Sequence, residues 1–413
     1  MRGRRGRLSV AALPIALLVA TPAAPADAAT GMEVALSDDG IFVYQAYFKR
    51  ARAFRLARAL GVSRIRVNLT WAGALGNHQA KRRRRPARIR YHLHRYDDAI
   101  DAAARHGIRV QLTLTGKAPA FATADHKVGA TRPSARRYGE FVRAMAQHFK
   151  GRVDRYSIWN EPNYVSWLRP LEDEPKIYRR LYIAGYSAIK AVAPRAAVLI
   201  GETSPHDSPD RSLAPLDFIR RVACVSPSYT LDRDCASRAK VPGGALRADG
   251  YAQHPYDFKN PPSNDWGGRD NVTIGSLRYL TATLDRLRSA NALRTPGGGA
   301  MPVYLTEFGY FTRGRRRIPE STHARYLPQA FDIARANGRV RQLLQWGLVT
   351  PPDGYPGSWF DTSIVRRSGE PREPYRTLLE WAKDQRRSRG VSWPPKRIAL
   401  PPARPSADTP RPR

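Results

Sequence analysis

Two glutamates each follow a short apolar run. Glu161 lies in SIWNEPN, residues 157–163, and Glu307 lies in LTEFGY, residues 305–310. A carboxylate at the end of a buried strand is costly to remove from water, so we expect the chain to use it. Two such groups suit cleavage of a glycosidic bond, because one acid protonates the leaving oxygen while the other meets the positive charge at the anomeric carbon.

Eight short apolar runs alternate with helical patterns along the chain. The runs predict strands over residues 32–37, 64–69, 109–114, 155–160, 197–202, 250–255, 302–307 and 342–347. Apolar residues recur at helical spacing over residues 135–151 and 276–290. Gly61 and Gly107 are predicted to end the first two helices. This alternation favours a parallel sheet covered by helices.

Eight strand and helix repeats predict an α/β fold, the (β/α)8 TIM barrel, as one domain over residues 31–388. An open doubly wound sheet is the alternative that the pattern leaves. The sequence has no glycine-rich G-x-G-x-x-G or Walker loop after any predicted strand, which argues against the common nucleotide-binding folds.

The active site of such a barrel lies at the C-terminal ends of its strands. The candidate residues at those positions are Arg66, Asn160, Glu161, His254, Tyr256, Glu307 and Trp346. Structural alternatives exist for some of them. Residues 160–162 could form an ordinary turn that ends a strand. Arg66 could form a structural ion pair, and His254 could be a core histidine that is hydrogen-bonded by the backbone. Trp346 could simply pack in the core.

Five segments at these strand ends resemble one group of enzymes. In chain order, RVNLTW, WNEPN, QHPYD, LTEFGY and LQWG are similar to motifs of the retaining (β/α)8 glycoside hydrolases, the clan that includes cellulases, mannanases, β-xylosidases and β-galactosidases. The resemblance spans residues 31–387. The third predicted strand ends in TLTGKAPA and lacks the His or Asn often found there, which leaves the exact family unassigned.

The resemblance implies a role for each matched residue. It implies that Glu161 is the general acid/base and Glu307 the nucleophile. Asn160 would bind the sugar 2-hydroxyl, and Arg66 would keep Glu307 ionised, as an adjacent cation does.

The resemblance further implies three supporting residues. Tyr256 would hydrogen-bond Glu307, and His254 would lie near Glu161. Trp346 would form the floor of the subsite for the sugar being cleaved. Retaining enzymes hold their carboxyl groups about 5 to 5.5 Å apart, so we expect a covalent glycosyl-enzyme and retention of configuration. This chemistry requires no metal or organic cofactor.

The two ends of the chain differ from its middle. Residues 1–28 are typical of an export signal, with basic residues, an apolar run and an A-x-A cleavage pattern. Residues 389–413 are rich in Pro and Arg, which predicts a disordered tail or wall linker. Beyond the signal, no apolar run in the sequence approaches the roughly 20 residues of a membrane helix. We therefore expect a secreted or cell-surface protein.

Cys224 and Cys235 are the only cysteines in the sequence. An oxidising compartment favours a disulfide between them, and two free thiols are the alternative. Two cysteines without a nearby cluster of His or Asp make a poor metal site.

The chain carries a formal charge of +35, from 70 Lys and Arg against 35 Asp and Glu. Basic clusters at residues 81–85, 313–317 and 366–367 follow predicted strands, so they would surround the catalytic mouth. Such a rim would concentrate anionic glycans; the alternative is an ordinary solvated surface. Nucleic acid is not an expected partner, because the basic charge is the only feature that favours it and the sequence contains no recognised RNA- or DNA-binding motif.

Four tryptophans also follow predicted strands, where their rings could either stack on sugars or pack in the core. They are Trp71, Trp167, Trp266 and Trp359. Two functions therefore remain. The first is a secreted glycoside hydrolase, with transglycosylation as a variant. The second is a non-catalytic barrel that binds carbohydrate or a wall polymer. The presence of both carboxylates favours the enzyme, whereas sugar, linkage, endo or exo action and oligomeric state stay open.

Overall fold

The computed structural model describes residues 31–232, 235, 244–265 and 270–387, without the side chain of Arg386. The predicted signal peptide at residues 1–28, the predicted tail at 389–413 and Trp266 lie outside the described residues.

Eight parallel strands close a barrel at the centre of the fold. The strands of the chain are β1 (Glu33–Ser37), β2 (Arg64–Thr70), β3 (Arg109–Thr115), β4 (Arg155–Ile158), β5 (Ala197–Thr203), β6 (Leu246–Arg247), β7 (Gly250–Gln253), β8 (Leu293–Arg294), β9 (Val303–Leu305) and β10 (Val340–Trp346). The barrel order is β1-β2-β3-β4-β5-β7-β9-β10, and β10 pairs with β1 to close it, while β6 and β8 form a separate pair. The predicted TIM barrel is thus confirmed and the open sheet is excluded.

Helices cover the outside of this barrel. They are α1 (Asp39–Phe42), α2 (Arg50–Ala59), α3 (Trp71–Ala80), α4 (His94–Arg105), α5 (Ala135–His148), α6 (Glu174–Val192), α7 (Pro215–Val222), α8 (Leu277–Ser289), α9 (Glu320–Ala336) and α10 (Glu373–Arg387). Gly61 and Gly107 follow α2 and α4 with φ of +76° and +68°, the left-handed conformation in which helices commonly end. Both predicted helix stops are confirmed.

The prediction of a strand over residues 155–160 was two residues too long. Strand β4 ends at Ile158, and the chain then turns sharply, with φ of +69° at Trp159 and +37° at Glu161. Because the apolar Trp159 continues the strand pattern, the residue pattern did not indicate this turn. Because of this turn, the next side chains leave the sheet at the mouth of the barrel.

The alternation of β2 explains how a charged side chain enters the barrel. Ile65, Val67 and Leu69 belong to the main apolar core. Successive strand residues point to opposite faces, so Arg64 and Arg66 point to the other face, inside the barrel. At one end of the interior, Arg64 binds Glu33 and Asp154. The barrel is therefore filled by a polar network and surrounded by an apolar layer.

Cys224 and Cys235 form a disulfide, which confirms that prediction. In the described part of the chain, no helix combines the length and apolar character needed to cross a membrane.

Candidate active site

The two glutamates selected from the sequence meet at the mouth of the barrel. Glu161 follows β4 and Glu307 follows β9, and these strands are separated in the barrel by β5 and β7. One oxygen of each carboxyl group and a ring nitrogen of His254 all lie within 4.8 Å of one another. This separation is close to the spacing at which a carboxylate acts as nucleophile.

Glu307 is held by hydrogen bonds to both of its oxygens. Arg66 donates from Nη1 to Oε1 at 2.6 Å, and the Tyr256 hydroxyl donates to Oε2 at 3.1 Å. Burial raises the pKa of Glu307 above its ordinary value, and the positive charges of His254 and Arg66 limit that rise. Arg66 thus reduces the rise in pKa that burial causes, but the pKa of Glu307 stays above its ordinary value.

Glu161 has the more open position of the two. Its side chain is 17% exposed, against 10% for Glu307. His254 Nδ1 lies 3.1 Å from Oε1, and the Trp167 indole donates to Oε2 at 3.1 Å. Trp167 is itself anchored, because the buried Trp159 donates its indole N–H to the Trp167 carbonyl at 2.9 Å. The turn after β4 therefore supplies both the carboxyl group and the ring that orients it.

The spacing of Glu161, His254 and Glu307 would by itself allow them to ligate a metal ion. Their ligand atoms are engaged within the protein, however. Both oxygens of Glu307 accept hydrogen bonds from Arg66 and Tyr256, and both ring nitrogens of His254 face carboxylates. The ligand atoms that a metal ion would need thus already have partners among the described side chains.

Arg66 connects several parts of the site and is fully buried. Its Nε donates to Thr113 Oγ1 at 2.9 Å, and Nη2 donates to Asn160 Oδ1 at 2.7 Å. The same Nη2 lies 3.0 Å from Glu202 Oε2. Arg66 therefore pairs with two carboxylates, Glu202 and Glu307, and also fixes the amide of Asn160.

Glu202, at the end of β5, is a buried site residue that the sequence reasoning did not select. Its Oε2 accepts hydrogen bonds from His254 Nε2 at 2.8 Å and Thr306 Oγ1 at 2.8 Å, and its Oε1 accepts one from Gln111 at 3.2 Å. Burial raises the pKa of Glu202, but the charges of Arg66 and His254 outweigh it and lower the pKa to about 2. The signal was available, because Glu202 ends the predicted strand 197–202 as Glu307 ends 302–307.

His254 lies fully buried among three carboxylates. Its Nδ1 faces Glu161, its Nε2 faces Glu202, and Nε2 also lies 3.7 Å from Glu307 Oε1. Burial lowers the pKa of His254, but the negative charges of these carboxylates outweigh it and raise the pKa to about 9. An imidazolium that donates from both nitrogens fits this geometry, whereas a core histidine paired with backbone does not.

Comparison of the sequence with known protein families identifies the family of this chain. Residues 25–346 match the family described as cellulase, glycosyl hydrolase family 5. The chain belongs to this cellulase family. Its membership confirms the resemblance to the retaining (β/α)8 clan of glycoside hydrolases that the strand-end motifs indicated. Comparison with curated proteins gave no match.

Solved structures of glycoside hydrolases share the fold of this family member. A family 39 glycoside hydrolase from Bacteroides cellulosilyticus WH2 has a TM-score of 0.61 at 19% identity, covering 85% of this chain and 63% of that enzyme. The exo-β-1,4-mannosidase Op5Man5 from an Opitutaceae bacterium, strain TAV5, has a TM-score of 0.54 at 16% identity, with coverage of 90% and 63%.

A family 39 β-xylosidase from Caulobacter crescentus has a TM-score of 0.54 at 16% identity, with coverage of 86% and 72%. The chain thus spans less than two thirds of the length of the first two of these enzymes. At such identities the likeness shows the fold alone.

The tryptophans of this cellulase family member differ in their environments. Trp346 is half-buried at the end of β10. Trp71 is buried in the core and stacks on Phe141, so it does not reach a ligand. Trp167 contacts the Glu161 carboxyl group, and Trp359 is 73% exposed.

Three of the eleven basic residues in the predicted rim form ion pairs. Arg85 pairs with Glu140 at 3.3 Å, and Arg366 pairs with Glu320 at 3.2 Å. In the segment after β9, Arg313 binds Asp361 at 3.0 Å. The other eight form no ion pair in the described part of the chain, so the basic rim stays a prediction and its arginines differ in how they are paired.

Proposed function

We propose that this protein is a secreted retaining glycoside hydrolase that cleaves O-glycosidic bonds of a polysaccharide or oligosaccharide by double displacement. The observation that carries the proposal is the approach of Glu161 and Glu307 oxygens to within 4.8 Å. Inverting enzymes need about 6.5 to 9.5 Å to admit a water molecule between the two groups. The short spacing favours direct attack by one carboxylate.

In the first step, Glu161 donates its proton to the glycosidic oxygen as the bond to the anomeric carbon breaks. Glu307 Oε attacks that carbon and forms a glycosyl ester. In the second step, Glu161 takes a proton from water, the water oxygen bonds to the anomeric carbon, and the ester bond to Glu307 breaks. The sugar leaves with its original configuration, because two inversions have occurred.

The surrounding residues bind and orient the sugar in this proposal. Asn160 uses its Oδ1 to accept from Arg66, which directs its NH2 group toward the sugar 2-hydroxyl. Tyr256 and Arg66 hold Glu307 in position for attack. Trp346 forms the floor of the cleavage subsite. No step requires a metal or organic cofactor.

Covalent labelling tests the mechanism. A mechanism-based fluoro-sugar should add its mass to the intact protein, and peptide mapping should place the label on Glu307. Proton NMR should show retained configuration in the first product. An inverted product would exclude the mechanism, and polysaccharide binding without any label would instead support the non-catalytic barrel.

A matched pair of variants tests the nucleophile. Glu307→Ala should abolish turnover, and added azide or formate should restore it through a glycosyl adduct. Glu370→Ala, which removes an exposed glutamate, should leave turnover unchanged. Full activity in Glu307→Ala would remove that residue from the role.

Export is part of the proposal. The disulfide between Cys224 and Cys235 is typical of an oxidising compartment. N-terminal sequencing of protein recovered from the culture medium should place the mature start near Ala29. Protein that stays inside the cell with an intact N-terminus would contradict secretion.

A further inference from the structure

Four aromatic rings form a continuous wall beside the proposed nucleophile, and we call them the aromatic wall: Tyr256, Phe258, Phe311 and Phe360. Phe258 stacks on Tyr256 with centroids 5.3 Å apart, and Phe360 meets Tyr256 edge-on at 5.4 Å. Phe311 joins the other two at 5.6 and 4.9 Å. Since the Tyr256 hydroxyl donates to Glu307, the wall extends from the reacting group toward the rim.

Trp359 stands at the outer edge of this wall. It is 73% exposed, and its ring meets Phe360 at 5.5 Å and 89°. Among the described residues, the other exposed large hydrophobics are Tyr44 and Val128, at 44% and 37%. Trp359 therefore presents a large apolar face to solvent at the edge of the wall. The face of an indole can pack against the apolar face of a sugar ring.

Arg316 stands at another edge of the same wall. Its guanidinium lies 4.6 Å from the Phe258 ring centroid, and the side chain is exposed. Two rings, Phe258 and Tyr256, connect it to Glu307. Within the described part of the chain, residues 315–317 form no ion pair, in contrast to Arg313.

Asp257, which precedes Phe258 in the chain, forms no ion pair with Arg316. Asp257 is buried, and its two oxygens accept hydrogen bonds from Asn260 at 2.6 Å and Asn264 at 2.8 Å. Arg316 is thus a cation held over an aromatic ring with its donors available. The planar guanidinium suits a carboxylate, which it can bind through two parallel hydrogen bonds.

Resting on the proposed function, we propose that the exposed Trp359 and Arg316, at two edges of the aromatic wall, form a subsite for a uronate-containing saccharide next to the sugar that is cleaved. The exposed ring of Trp359 stacks on the saccharide, and Arg316 pairs with the uronate carboxylate. The substrate class is then a uronate-containing glycan, and the specificity comes from one arginine rather than from the overall charge.

Binding to matched oligosaccharides tests this subsite without requiring turnover. The full chain carrying Glu307→Gln is titrated with oligomers of galacturonate, alginate and glucuronoxylan. Each oligomer is compared with its carboxyl-reduced counterpart, which keeps the sugar and linkage but lacks the charge. We expect at least one uronate oligomer to bind about tenfold more tightly than its reduced form, the effect of a charge-assisted hydrogen bond.

Three further substitutions separate the two contacts. Arg316→Ala should remove the preference for the charged form, whereas Trp359→Ala should weaken binding of the charged and reduced forms alike. Arg325→Ala is the matched control, since Arg325 is an exposed arginine beside a tyrosine ring on α9. It should leave the preference unchanged.

Two outcomes would overturn the proposal. One is that no uronate oligomer binds better than its reduced form; the other is that Arg316→Ala and Arg325→Ala reduce the preference equally, as general charge would. Neither result bears on the fluoro-sugar label, so failure of the subsite is distinguishable from failure of the hydrolase mechanism.

Discussion

Replacing Glu202 with glutamine would remove one negative charge from the centre of the site while keeping the size of the side chain. Glu202 accepts from His254 at 2.8 Å and lies 3.0 Å from Arg66. The substitution therefore tests whether this carboxylate controls the charge on the histidine. Its action is indirect, because Glu202 positions two residues that contact the proposed acid and nucleophile.

The magnitude follows from the pKa of His254. That pKa is about 9 because the surrounding carboxylates outweigh burial. A hydrogen bond to a charged group contributes about 1.5 to 3 kcal/mol, and one pKa unit corresponds to about 1.4 kcal/mol. Without Glu202, the pKa of His254 should fall by about one to two, to between about 7 and 8.

The catalytic efficiency of Glu202→Gln should fall together with the pKa of His254. Above its new pKa, the neutral ring of His254 no longer donates from both nitrogens, so Glu161 loses its oriented partner. We expect kcat/KM to fall by about 2- to 10-fold near pH 8, in proportion to the fraction of charged histidine that is lost, and by less near pH 5.5, where the histidine is charged in both proteins. The measurements are an NMR titration of the imidazole and kcat/KM profiles over this range.

The control is Glu174→Gln on α6. Glu174 is also buried, and its carboxyl oxygens have no hydrogen-bond partner in the described part of the chain. Burial raises its pKa to about 9, so it is uncharged at neutral pH and glutamine should change little. The reasoning is refuted if Glu202→Gln leaves the pKa of His254 at about 9 and its pH profile parallel to that of the wild type.

Three further expectations follow. Tyr256→Phe removes a buried hydrogen bond to the proposed nucleophile, so kcat/KM should fall about 10- to 100-fold, and the melting temperature should fall by a few degrees because a buried oxygen loses its donor. Trp167→Phe removes the donor to Glu161, and the loss should be larger for poor leaving groups than for activated aryl glycosides, because only the former need the proton. In urea titrations, the free energy of unfolding of the wild type should exceed that of Glu202→Gln most between about pH 4.5 and 6.5. The stabilising contribution of Glu202 is lost as pH falls through its folded pKa of about 2, and that of His254 is lost as pH rises through about 9.

Periodicity was sufficient to predict the barrel. All eight predicted strands occur, because alternation between short apolar runs and helical repeats is a local property of the chain. The periodicity predicted the ends of the strands less accurately. Trp159 continues the apolar pattern of β4 yet adopts positive φ, and nothing in its side chain signals that turn.

The convergence of Arg66, Glu161 and Glu307 could also be anticipated. A closed parallel barrel brings the C-terminal ends of all its strands to one mouth, so residues far apart in sequence become neighbours once the fold is known. Glu202 could have been selected as another carboxylate at a strand end, but its role depends on which side chains lie across the barrel interior. Only the packed barrel places Arg66 and His254 against it.

By itself, the sequence determined the strand and helix order and the residue types at the strand ends, since both arise from local patterns. Only the tertiary structure decided which charges are paired. Arg313 and Arg316 are the same residue type in the same segment, yet Arg313 binds Asp361 and Arg316 lies over the Phe258 ring. Ion pairing depends on distances of a few ångströms between separate loops, and those distances exist only after the chain has folded.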